Sequence, residues 1–191
     1  MSTVAHRPLR ADARRNREKI LAAAGEAFGR SGLECQVEDI ARRAGVGVGT
    51  VYRHFPTKDA LVTALAEAYV ERLADTVEAA FHEGGDPWDS FVAAIWRAAE
   101  PVVADVAWCE IVAGHASVSD GALPGQQRLA AATGTLIERA QAAGCMRADA
   151  TVQDVRTMMC GLGHVATAQR AGAPLDWRRY LEIALDGLRT R

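Results

Sequence analysis

Along nearly the whole chain, apolar side chains recur every third or fourth residue, in runs that glycine, proline or a capping residue brings to a stop. That spacing matches the 3.6-residue turn of a helix, and no stretch alternates apolar and polar residues as a half-buried strand does. Frequent alanine and an aromatic content of only 6% point the same way. The fold class expected is all-α, with about nine helices.

The stops define the segments. Ile20, Ala24, Ala27 and Phe28 share one face of a first helix running from Asp12 to a glycine cap at Gly32. Short helices follow over Val37 to Ala44, ended by Gly45, and from Val48 to Phe55, ended by Pro56. Thr57 caps a long helix with Leu61, Leu65, Ala68 and Leu73, broken at Gly84 and Gly85. Asp86 and Pro87 start another, with Trp88, Phe91, Val92, Ile95 and Trp96, which Pro101 is expected to kink or end. A stretch with Val106, Trp108, Ile111 and Val112 fades into a Gly- and Ser-rich loop from Gly114 to Gly125. A helix from Gln126 stops before Gly144. Thr151 and Asp154 form a capping-box pattern ahead of Val155, Met158, Met159, Leu162 and Val165, and the last helix carries Trp177, Leu181, Leu185 and Leu188.

Net charge is −2, but it is divided unevenly. Residues 1–58 hold 11 Lys+Arg against 6 Asp+Glu, net +5, and residues 59–191 hold 11 against 18, net −7. Arg10, Arg14, Arg15, Arg17 and Lys19 crowd the start of the first helix, where its dipole favours acids, so helix stability does not account for them and phosphate contact does. A solvated surface with no partner is the plainer alternative. The four cysteines are widely spaced without a CxxC pair, Met1 to Arg10 lacks the apolar core of a signal peptide, and no apolar run approaches the roughly 18 residues of a membrane span. A cytoplasmic protein without membrane attachment is expected.

The most informative stretch is VEDIARRAGVGVGTVYRHFPTKDAL, Val37 to Leu61. Ile40, Ala41 and Ala44 give the first short helix a small apolar face that a second can cross closely, and Gly45 permits a left-handed turn between them. The second helix is then free to enter a major groove, presenting Thr50, Tyr52, Arg53 and His54. Within this stretch, IARRAGVGVGTVYRHFPTKDAL resembles the helix-turn-helix signature of the TetR family of bacterial regulators. Ile40, Ala41, Ala44, Gly45, Val46, Gly49, Thr50, Tyr52, His54, Phe55, Lys58 and Leu61 all match. The likeness is close over residues 12–61 and rests beyond them on helix number and cap placement.

The resemblance implies a DNA-binding domain over 1–58, an effector-binding and dimerisation domain over 59–191, and a dimeric, ligand-responsive regulator, usually a repressor, of a pseudo-palindromic operator. Carried over, it places Thr50, Tyr52 and His54 against DNA and Lys58 on a phosphate, and Arg53 suits a bidentate bond to guanine. Val48, where a polar residue is usual, suits a thymine methyl, and Gly49 is among the expected DNA-binding residues. Arg43 joins the expected contacts, although it and Arg42 stand equally as solvated surface; Phe55 reads as core. Gly47 and Gln36 replace the Ser and Thr usual at the two caps, which bears on operator sequence.

Trp96, Trp108, Met159 and His164 are the expected lining of an effector pocket, against the alternative that each packs the core. Met158, Leu162 and Val165 with Leu181, Leu185 and Leu188 are expected to pair across a two-fold axis as a four-helix bundle. Cys109 with His115 and Cys160 with His164 fall short of a closed metal site, and neither pair has a third orienting residue, so no metal, cofactor or catalysis is expected. An architectural DNA-binding protein without effector is the remaining rival; the acidic, tryptophan-bearing remainder argues against it.

Overall fold

A computed structural model describes residues 7–82, 85–104 and 124–190. Among them are eight α-helices: α1 (Arg7–Ser31), α2 (Val37–Ala44), α3 (Val48–His54), α4 (Lys58–His82), α5 (Pro87–Ala104), α6 (Pro124–Ala142), α7 (Val152–Arg170) and α8 (Trp177–Leu188). No strand occurs among the described residues; one antiparallel bridge joins Met146 to Arg189. The expected helix around Val106 and Trp108 lies outside the described residues.

Two compact units divide the chain, residues 1–66 and 67–191. The first closes at Ala66 rather than at 58, because the opening turns of α4 bury Leu61, Val62 and Leu65. Its other buried side chains include those the helical spacing singled out, Ile20, Ala24, Ala27 and Phe28 on α1, Ile40 and Ala41 on α2, and Phe55, together with Leu21, Ala23, Cys35, Val37 and Val51, which it did not. α1 packs on α2 and α2 on α3.

In the second unit α5 is the centre, packing against both α6 and α7. Phe91, Ile95 and Ala99 form its inward stripe and meet Leu136 and Ala140 of α6, Val155, Met158 and Leu162 of α7, and Leu181 and Leu185 of α8 in one apolar core. Full burial of each large side chain contributes about 1.5–3 kcal/mol. Pro101 does not end α5, which continues to Ala104: only its final turn follows the ring, and buried Val102 holds that turn to the core. α6 begins at Pro124 rather than Gln126, the fixed φ of proline suiting a first helical position.

Caps match the sequence pattern. Thr57 Oγ1 accepts from Ala60 N–H at 3.0 Å. At α7 the capping box is complete: Asp154 N–H donates to Thr151 Oγ1 at 3.2 Å, and Thr151 N–H donates to Asp154 Oδ2 at 2.8 Å. The Thr151 hydroxyl, donating to Asp154 Oδ2 at 2.6 Å, and after it the Thr151 N–H hold the Asp154 carboxyl below its usual range. A depressed folded value makes Asp154 stabilising above the unfolded value of about 3.9. Asp154→Asn should therefore lower the thermal midpoint at pH 7, with the difference from wild type vanishing as pH falls below about 4 and through the folded value; equal midpoints at pH 7 refute this.

α7 and α8 meet at Gly161, where the Tyr180 hydroxyl donates to the Met158 carbonyl at 3.1 Å and a β-carbon on Gly161 would collide with Tyr180 Oη. Burial pushes the Tyr180 phenol up, with the Cys160 charge adding to it. Gly161→Ala should displace the ring, break this bond and cost about 1–3 kcal/mol by chemical denaturation. An unchanged denaturation midpoint would show that Tyr180 moves aside freely.

Candidate nucleic-acid interface

α2 ends in a glycine turn built from backbone alone. Gly45 sits at φ 68°, ψ 33°, its N–H donating to the Arg42 carbonyl at 3.3 Å, and Val46 N–H donates to the Ala41 carbonyl at 3.0 Å. This pair of bonds is the Schellman arrangement, and the left-handed residue between them reverses the chain within two residues. Gly47 then starts α3, its carbonyl accepting from Thr50 N–H at 2.8 Å; it has no side chain to cap the helix, and Gln36 makes no side-chain cap on α2.

The orientation of α3 follows from two buried residues. Val51 is 1% exposed and Phe55 3%, so this side of the helix turns into the first unit. Arg17 of α1 lies over the Phe55 ring, its guanidinium carbon 5.4 Å from the centroid. The opposite side is left outward: Tyr52 is 44% exposed, Gly49 and Arg53 are exposed, and Val48, Thr50, His54 and Lys58 are half-buried. His54 also rests against Phe55, ring centroids 6.3 Å apart, so it shares in the packing.

Cations are exposed on α1, α2 and α3 alike. Arg14, Arg15, Lys19, Arg42, Arg43 and Arg53 are exposed. Arg42 pairs with Asp39 on its own helix, and Arg14 is 3.7 Å from Glu18. Such exposed pairs are worth about 0–1 kcal/mol, little obstacle to exchanging the partner for a phosphate. Of the α3 residues expected at DNA, Gly49, Tyr52 and Arg53 thus lie on the outward side, Val48, Thr50 and His54 at its borders, with Lys58 at the start of α4 and Arg43 on α2.

In the second unit the expected sites fare differently. Among the described residues an open cleft of about 250 Å³ runs between α5 and α8, with Trp88, Val92, Trp96 and Leu185 on its apolar wall and Arg179, Glu182 and Asp186 on its polar one. Trp96 meets Trp177 at a tilt, ring planes 56° apart and centroids 5.8 Å apart. Of the expected pocket residues only Trp96 borders this cleft. Met159 is half-buried against the core, His164 is exposed with Nδ1 3.0 Å from the Cys160 carbonyl, and Trp108 lies outside the described residues.

The expected dimer residues need correcting. Met158, Leu162, Leu181 and Leu185 are buried in the core of their own chain, at 7%, 0%, 0% and 4% exposure, and so are already covered. Val165 and Leu188 are half-buried. Of the expected set only Val165 and Leu188 keep surface free on these helices, where Ile183 is 56% exposed. Helical spacing identifies an apolar stripe but not which neighbour covers it.

Residues 20–65 match the family model described as bacterial regulatory proteins, tetR family, and residues 86–190 match the SbtR-like transcriptional regulator C-terminal domain. The chain belongs to the TetR family. Solved TetR regulators from Streptomyces coelicolor and Mycobacterium vanbaalenii are similar throughout: 35% identity with TM-score 0.65, covering 91% of this chain and 98% of that one, and 36% with TM-score 0.67, covering 96% and 100%. The curated Bacillus subtilis (strain 168) protein YvdT, an uncharacterized HTH-type transcriptional regulator, is 38% identical over 72 residues, a match spanning 37% of either chain. The TetR chain is accordingly a transcriptional regulator that binds DNA through its helix-turn-helix.

A β-carbon at Gly45 would meet no atom within 4 Å, so a substitution there tests the backbone alone. Gly45→Ala should destabilise the first unit by about 1–2 kcal/mol, read by chemical denaturation; a cost of zero would mean that the turn tolerates a right-handed alternative.

Proposed function

We infer that this TetR-family protein represses transcription as a cytoplasmic homodimer, holding a pseudo-palindromic operator until a small-molecule effector releases it. The observation that carries the reading is the one-sided packing of α3. Val51 and Phe55 are buried while Tyr52 and Arg53 point outward, in a segment of net charge +5 over residues 1–58. A cationic helix held by its back and open at its front suits a major groove.

In this reading Arg53 reads a base edge, Val48 and Gly49 let α3 lie close to the bases, Thr50, Tyr52 and His54 bond to backbone or bases, and Lys58 and Arg43 neutralise phosphates. Two copies related by a two-fold axis set two α3 helices on successive major grooves, roughly 34–36 Å apart or a multiple of that. The effector acts by preferring a state in which the two heads no longer match that spacing, a coupling of about 1–3 kcal/mol. The tryptophan-walled cleft of the second unit supports small-molecule binding. His164 meets the Cys160 backbone carbonyl through Nδ1. No described helix is long and apolar enough to cross a membrane.

Duplexes from the promoter region of the protein's own locus test the proposal in a salt titration. Arg53→Ala should weaken binding to the retained duplex by about 1–3 kcal/mol and relax its sequence preference, and Lys58→Ala should reduce the slope of log K against log salt by about 1. Equal affinity for locus and scrambled duplexes, with neither variant changing it, would overturn the reading.

A further inference from the structure

The cleft between α5 and α8 lies wholly within the second unit, and its two walls differ in chemistry. Trp88, Val92 and Trp96 stand four residues apart on α5 and so share one face of that helix. Arg179, Glu182 and Asp186 share a face of α8 in the same way. The two helices pass antiparallel: Trp96 meets Trp177 at the start of α8, while the guanidinium carbon of Arg189, just past its end, is 5.1 Å from the centre of the Trp88 ring. The polar wall therefore runs from positive at the Trp96 end to negative at the Trp88 end. Arg179 and Glu182 answer each other at 3.6 Å. Asp186 has neither an ion pair nor a side-chain hydrogen bond among the described residues, and Arg189 leans on Trp88 from outside the cleft lining without reaching it.

We propose that this cleft takes a small arylalkyl monocation, its ammonium group held at Asp186 and its aromatic ring laid on Trp96. The assignment rests on the small-molecule reading of this chain's regulation and names the class of the effector. Volume sets the size: about 250 Å³ lies below the roughly 300–1,000 Å³ of drug-sized pockets, so the occupant is one ring with a short chain. Length follows from the helix. The seven-residue step from Arg179 to Asp186 rises about 10 Å, the reach of a phenyl ring, a few methylenes and an amine. Charge then sets the sign. With Arg179 and Glu182 paired to each other, one carboxylate remains on the wall, which attracts a cation and repels an anion. The indoles favour the same sign, since a ring face is negative: Trp88 and Trp177 already carry guanidinium groups, Arg189 at 5.1 Å and Arg178 at 4.4 Å. Trp96 has no cation over it among the described residues, which leaves its cleft side for the ring of the ligand.

The test titrates the full chain with 4-phenylbutylamine, 4-phenylbutan-1-ol and 4-phenylbutanoate, which share ring and chain and differ in the charge of the terminal group, reading heat and tryptophan fluorescence. The amine should bind with a dissociation constant on the order of 1 mM. It should bind about 3-fold tighter than the alcohol and about 10-fold tighter than the acid, as an exposed charge pair allows. Asp186→Asn should bring the amine level with the alcohol, and Asp186→Lys should make the acid the tightest of the three. Asp186 is exposed, so both variants leave the core intact, and an inverted preference is a result that altered stability does not give. Equal affinity for the three compounds, an order that Asp186→Lys leaves unchanged, or no binding of the amine at about 10 mM, ten times the expected constant, overturns the proposal. The saturating amine should also release the protein from the duplex of its own locus. An amine that passes the Asp186 tests while the duplex stays bound overturns the effector reading alone and leaves the ligand of the cleft as assigned.

Discussion

A seven-residue helix cannot hold itself together in water, and α3 is one. It exists because Val51 and Phe55 are drawn into an apolar core made by α1, α2 and the start of α4. That single constraint fixes everything the reading surface does. With one side immersed, the residues between must face outward, so burying Val51 is what exposes Tyr52 and Arg53. The Schellman turn at Gly45 supplies the angle, and the Arg17 guanidinium over Phe55 closes the back of the helix.

The second unit solves a different problem. Its core is centred on α5, whose long apolar stripe is covered by α6, α7 and α8, and the leucines of those helices are spent on this protomer. Among the described residues, what remains outside includes Leu175, Ile183 on α8, a tryptophan-walled cleft, and the polar face of α7. α4 serves both units, apolar toward the first through Leu61 and Leu65 and acidic toward Arg128 through Glu71, Asp75 and Glu78. One helix thus carries two chemically distinct contacts, a dispersive one near its start and a directional one near its end.

Much of this is legible in the linear sequence because its causes are local. Helix periods, the αL glycine at position 45, the Thr57 cap and the Thr151–Asp154 box depend on residues within a few positions of each other, and the structure has each of them. The outward side of α3 is legible only in part: Phe55 reads as core from the sequence, whereas Val51, four residues before it and buried with it, is not singled out. The Arg128 network left a trace, three acids at helical spacing on α4, but nothing local says which cation, some fifty residues on, sits among them.

Sequence alone determined that this chain is all-helical, that its basic first third carries a helix-turn-helix, and where most helices begin and end, because backbone geometry and capping act over one or two turns. Tertiary structure alone decided which apolar stripes are consumed internally: Met158, Leu162, Leu181 and Leu185 have the spacing of an interface and the burial of a core. The reason is physical: the hydrophobic effect is indifferent to whether the covering surface belongs to the same chain or another, so only the packed fold distinguishes the two.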